Sequence, residues 1–113
     1  MLHNKRLKYK TDKTVTKAEV ISKISEQTGI DKADVSVAVE AMFSVVKNTL
    51  SEGENIYIRG FGSFINKKRA RKVARNISKN TAIIIDEHFI PSFKPSKVFI
   101  EKVKNSRKLK SSS

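Results

Sequence analysis

Eight cations, Arg59, Lys67, Lys68, Arg69, Arg71, Lys72, Arg75 and Lys79, fall within a 31-residue run, 55–85, that contains no Asp or Glu. Guanidinium groups donate in a planar fork that matches phosphate oxygens, and ammonium groups act as mobile point charges. A run of both without a neutralising acid is suited to gripping a polyanion. In an extended strand alternate side chains share a face. Lys67, Arg69, Arg71, Val73 and Arg75 therefore point one way, and Lys68, Ala70, Lys72 and Ala74 the other. One face thus gathers the arginines, the chemistry wanted against phosphates and in a narrow minor groove. Beyond them, Asn76-Ile77-Ser78 sets one apolar side chain among polar ones. It is either a turn residue packed on its own hairpin or a wedge that enters a base step.

Other chemistries find little support. There are no cysteines, which removes disulfides and thiolate metal sites. His3 lies in a basic, aperiodic segment, and His88 stands alone beside Asp86 and Glu87. Glu40 reads as a solvated helix residue. No phosphate-cradling glycine loop or spaced ligand set accompanies them, so no catalytic residue, metal, cofactor or small-molecule substrate is expected.

Charge placement supports the same reading. Of the net +13, residues 1–13 carry +4, residues 14–58 carry −3 and residues 59–113 carry +12. Concentration in the second half points to a polyanion rather than a generally solubilised surface. The longest wholly apolar stretch, 82–85, is far short of a membrane span, and the N-terminal segment lacks the apolar core of a signal peptide. No membrane association is expected, and a cytoplasmic location is.

The elements that must position these cations can be read in order. Thr16-Lys17-Ala18-Glu19 has the form of a capping box, followed by Val20, Ile21 and Ile24 at helical spacing and Gly29 as a stop. Asp31 caps a second helix, in which Val35, Val39, Met42, Val46 and Leu50 form a stripe of about five turns. Ala38, Ala41, Phe43 and Val45 widen that apolar surface beyond what one partner covers. At 113 residues a homodimer is the simplest way to cover the second face, the alternative being a monomer with an unusually large core.

After a turn at Glu52-Gly53-Glu54 comes a short strand, 55–59, then the hinge Gly60-Phe61-Gly62-Ser63-Phe64. A basic strand is expected over 63–75, a tip near 76–80, a return strand over 81–86, and a further extended segment over 89–93 on an edge or bulge because of Pro91. At about 3.3 Å per residue the basic strand makes a finger of about 35 Å. Pro95 suits the first turn of a last helix with Phe99 and Val103 on one face. The expected organisation is a basic flexible tail over 1–13, one α+β domain over 14–104 with its arm at about 63–86, and a second basic flexible tail over 105–113.

Gly60-Phe61-Gly62-Ser63-Phe64, Arg69-Ala70, Ala74-Arg75-Asn76 and Ile90-Pro91-Ser92-Phe93 with Lys97, in that order, resemble the bacterial HU and integration host factor family of histone-like proteins. The resemblance runs from about Thr16 to Lys104. It implies an intertwined homodimer, or a heterodimer with a paralogue, in which a helical base carries a small antiparallel sheet extended into two β-ribbon arms. It further implies binding and bending of double-stranded DNA through the minor groove, the use for which such β-strand readers are known. Lys17 and Lys97 would lie on the floor between the arms, and Ile77 stands where the family usually has a tip proline. The resemblance thus implies a nucleoid-associated protein that compacts DNA largely without sequence preference. A site-specific bender of the integration host factor type is the alternative. An RNA or ribosome binder is disfavoured, since the six phenylalanines sit mostly at core-like positions and leave no stacking platform.

Overall fold

A computed structural model describes residues 13–109. Of the basic tails expected over 1–13 and 105–113, residues 1–12 and 110–113 lie outside the described residues. The element order is α1 (Lys17–Thr28), α2 (Lys32–Ser51), β1 (Ile56–Ile58), β2 (Gly62–Arg69), β3 (Lys72–Asn76), β4 (Thr81–Ile85), β5 (His88–Pro95) and α3 (Lys97–Lys104). A short 3-10 turn, Arg107–Leu109, follows α3.

Local chemistry starts and stops the helices as expected. The Thr16 hydroxyl accepts from the Glu19 amide at 3.2 Å, and the Glu19 carboxylate accepts from the Thr16 amide at 2.9 Å. This reciprocal pair satisfies first-turn donors that no helical carbonyl can reach. It also holds the Glu19 carboxyl below its usual pKa, the Thr16 amide being the largest cause and the Thr16 hydroxyl the next. Gly29 closes α1 in the left-handed region at φ 77°, donating to the Ser25 carbonyl at 2.9 Å. Asp31 caps α2 through the Ala33 amide.

α1 packs on α2, and α2 in turn lies against β1 and β2. Among the described residues only Ile21, Val35 and Leu50 are buried hydrophobics, and none is fully so, while Val37, Met42, Phe43 and Val45 along α2 remain exposed. On α3, Val98, Ile100 and Val103 are likewise open. The radius of gyration is 19.6 Å, against about 13 Å for a compact chain of this length. A monomer with an unusually large core is therefore not what this sequence forms.

The sheet is antiparallel with order β1-β2-β5, joined to a separate ribbon of β3 and β4. Four rings knit its base. Phe61 lies 5.1 Å from Phe93 and 5.3 Å from Phe99 between centroids, and Phe64 lies 5.1 Å from Phe93. Gly62 is required by close approach: a Cβ there would stand 2.5 Å from the Lys94 carbonyl oxygen and 2.7 Å from the Phe93 ring.

Three expectations are corrected. The basic strand is not continuous over 63–75; it breaks at Ala70-Arg71, and β2 pairs with β5 rather than β4. The last extended segment is not a short one over 89–93. It is the eight-residue β5, held to β2 from Gly62↔Pro95 through Arg69↔His88 and anchored by Phe93 in the ring cluster. Pro95 ends β5 instead of opening α3, whose N-cap is Ser96, with Oγ accepting from the Phe99 amide at 3.1 Å. The expected edge position of Pro91 is observed, since β5 flanks the sheet.

Candidate nucleic-acid interface

The two ladders share one register. Continuing the β2–β5 pairing past Arg69↔His88 puts Ala70 opposite Glu87 and Arg71 opposite Asp86, and leads directly into Lys72↔Ile85 at the start of the β3–β4 ladder. The arm is thus a single ribbon with two rungs missing, not two unrelated hairpins. Because no residue is inserted, the alternation of side chains keeps its count across the joint.

Most of the expected cations line this ribbon. Lys67, Lys68 and Arg69 are exposed at the outer end of β2, Arg71 sits in the joint, and Lys72 and Arg75 are exposed on β3. Lys79 lies in the tip loop, and Arg59 lies apart, in the turn between β1 and β2. Lys97 opens α3. Lys17 opens α1 and forms an ion pair with Glu40, which is exposed on α2 as expected and also serves as that partner. Lys68 is the other cation of the set held by a carboxylate, 3.2 Å from Glu87 across the joint.

Asn76 shapes the tip. Its Oδ1 accepts from the Ser78 hydroxyl at 3.0 Å and from the Lys79 amide at 3.3 Å. Asn80 takes a left-handed φ of 52°, which asparagine tolerates well, and its Oδ1 accepts from Arg75 at 3.2 Å. These bonds push the intervening side chain outward, leaving Ile77 88% exposed. It does not pack on its own hairpin.

The joint itself was not foreseen. Its signal in the sequence is the acid pair Asp86-Glu87, which ends the acid-free run opposite Ala70-Arg71. His88 Nδ1 lies 2.9 Å from the Asp86 carbonyl oxygen, which accepts from it. Among the described residues no cluster of three or more His, Asp or Glu could hold a metal.

The chain that carries this basic ribbon matches, over residues 15–104, the family model described as bacterial DNA-binding protein. The chain belongs to this family. The bacterial DNA-binding proteins it resembles include integration host factor subunit beta of Marinobacter nauticus, 38% identical over 95 residues that cover 83% of this chain and 97% of that one. DNA-binding protein HU of Thermotoga maritima is 36% identical over 90 residues, 80% of this chain and 100% of that protein. Among solved structures, an Anabaena HU–DNA cocrystal structure superposes with a TM-score of 0.76 at 26% identity, covering 80% of this chain and 99% of that one. HU from Thermotoga maritima gives 0.56 at 27% identity, covering 78% and 97%. The α+β fold is that of these HU structures, and the family is one of DNA-binding proteins, not of enzymes. No helix among the described residues is long and apolar enough to cross a membrane.

Proposed function

We propose that this protein is an architectural DNA-binding protein, working as a dimer whose arms embrace the minor groove of double-stranded DNA and bend it largely without regard to sequence. The observation that carries the reading is the ribbon itself, with exposed cations along β2 and β3 and an exposed isoleucine at its end. Cations neutralise phosphates and release their counterions, which supplies affinity. An apolar group at the end of the ribbon can unstack a base step, and this converts affinity into a kink.

On this reading Arg59, Lys67, Lys68, Arg69, Arg71, Lys72, Arg75 and Lys79 contact the phosphates, Ile77 is the wedge, and Asn76 holds the tip in shape for it. Lys17 and Lys97 contribute to the floor between the arms. Dimerisation covers the exposed apolar faces of α2 and α3, which a single chain leaves in water at considerable cost. The HU cocrystal structure with DNA supports the target, and the occurrence of alpha and beta integration host factor subunits among the relatives keeps a heterodimer with a paralogue open. A chain of this kind works in the cytoplasm on the nucleoid and compacts it.

The test is a salt-titrated binding assay with random duplexes. If a dimer engages roughly 6 to 10 phosphates, log K falls with log salt at a slope of about −5 to −9, and scrambled duplexes bind alike. A salt-insensitive affinity overturns the proposal. One observation favours a second, site-specific reading: integration host factor subunits match as well as HU does. Selection from random duplexes decides between them, a strong consensus supporting the site-specific form, whose preference would come from sequence-dependent deformability.

A further inference from the structure

β4 is unlike the rest of the arm. Its sequence, Thr81-Ala82-Ile83-Ile84-Ile85, has no charge, no proline and no glycine, and every residue of it is exposed, Ile84 by 56%. The ribbon it belongs to has two strands, so one edge of β4 pairs with β3 and its other edge presents unpaired backbone donors and acceptors. Sheet proteins ordinarily block such an edge with lysine, proline or a bulge. β3 has that protection in Lys72 and Arg75, whereas β4 has none.

We propose that β4 is a self-pairing edge: in the DNA-free protein, the β4 strands of two arms from different dimers align antiparallel about a two-fold axis. The occupant is a second copy of this chain because charge excludes the other geometries. Pairing through β3 would bring Lys72 and Arg75 beside the same cations of the copy, while a β3-β4-β4-β3 sheet keeps these two on its outer strands. The residue pattern fits the symmetry. With Ile83 opposite its own copy, Thr81 meets Ile85 and Ala82 meets Ile84, so small side chains face large ones on either side of a central isoleucine pair. Each dimer would present two such arms, and repeated pairing would give chains of dimers. The inference rests on free arms and on the dimer, not on DNA binding. A duplex groove closes around both edges of a ribbon inserted in it, so DNA competes with self-pairing.

The salt dependence separates the two properties. Screening weakens DNA binding but relieves repulsion between arms, so self-pairing strengthens with salt. In sedimentation velocity, the full chain without DNA should show species larger than the dimer, growing with protein concentration and with salt and lost on adding a stoichiometric short duplex. Ile84→Lys should abolish the larger species while leaving the dimer intact. Because the chain has no cysteine, single substitutions report register cleanly. Ile83→Cys should oxidise to covalent pairs of chains in species whose native mass is that of four chains or more, and Ile84→Cys should not. A protein that remains dimeric at high salt, larger species that persist in Ile84→Lys, or equal cross-linking at the two positions would each overturn the proposal.

Discussion

Ile77 and Gly62 show how far single residues can be taken. A lone isoleucine in a turn normally shields its own hairpin, but the hydrogen bonds of Asn76 and Asn80 spend the polar groups of the tip inward and leave Ile77 in water. Ile77→Ala should therefore lower DNA bending, measured by energy transfer between duplex ends, by more than it lowers affinity. Unchanged bending would remove the wedge. Gly62 faces a backbone oxygen that cannot swing aside. Gly62→Ala should cost about 1–3 kcal/mol in thermal unfolding by forcing β5 off β2, while the cations of β3 and the tip stay unchanged. The need for glycine in this hinge was legible from its spacing with the phenylalanines; the atom that enforces it was not.

Elements follow from local signals where those signals are strong. The capping box, Gly29 and Asp31 placed both long helices correctly, because caps act over three or four residues. Thr16→Ala should lower stability by about 1 kcal/mol in chemical unfolding. The cap also carries a pH dependence. Glu19 has its pKa lowered on folding, so its contribution is present above the ordinary carboxyl value of 4.5 and fades as pH falls through the lower folded value. An acid titration of helicity in Thr16→Ala should show less loss over that window than in the native chain. The arm is where local reading failed. Nine basic and apolar residues in a row, 67–75, look like one strand, and the missing rungs at Ala70-Arg71 depend on what lies opposite, Asp86 and Glu87, which a local pattern does not contain. Because the register survives the joint, Arg69 and Arg71 still belong to one ribbon. Replacing both with Ala should weaken all duplexes alike and reduce the salt slope by about 1 to 2 per arm. An unaltered slope would show that phosphate contacts are made elsewhere.

At the scale of the molecule, one chain is an incomplete object. The three hydrophobics buried among the described residues cannot anchor a domain of this size, and the open faces of α2 and α3 are the surplus that association must cover. A mass measurement of the free protein at low salt should give at least two chains. Substituting Phe43 or Val45 on α2 by Asp should weaken that association, detected as a concentration-dependent loss of helicity. The width of the α2 stripe already implied a second covering surface, since no short chain has enough other elements to bury it.

Charge, periodicity, caps and motif order are properties of neighbouring residues, and the helical base, the hinge, the basic arm and the family can be read from them. The tertiary structure alone decided what depends on residues distant in the chain. It set the partner of β2, the two missing rungs, the capture of Lys17 by Glu40 and Lys68 by Glu87, and the bare edge of β4. The physical reason is that strand pairing and ion pairing are settled by register between segments up to some tens of residues apart, and a linear pattern records which groups exist but not which ones meet.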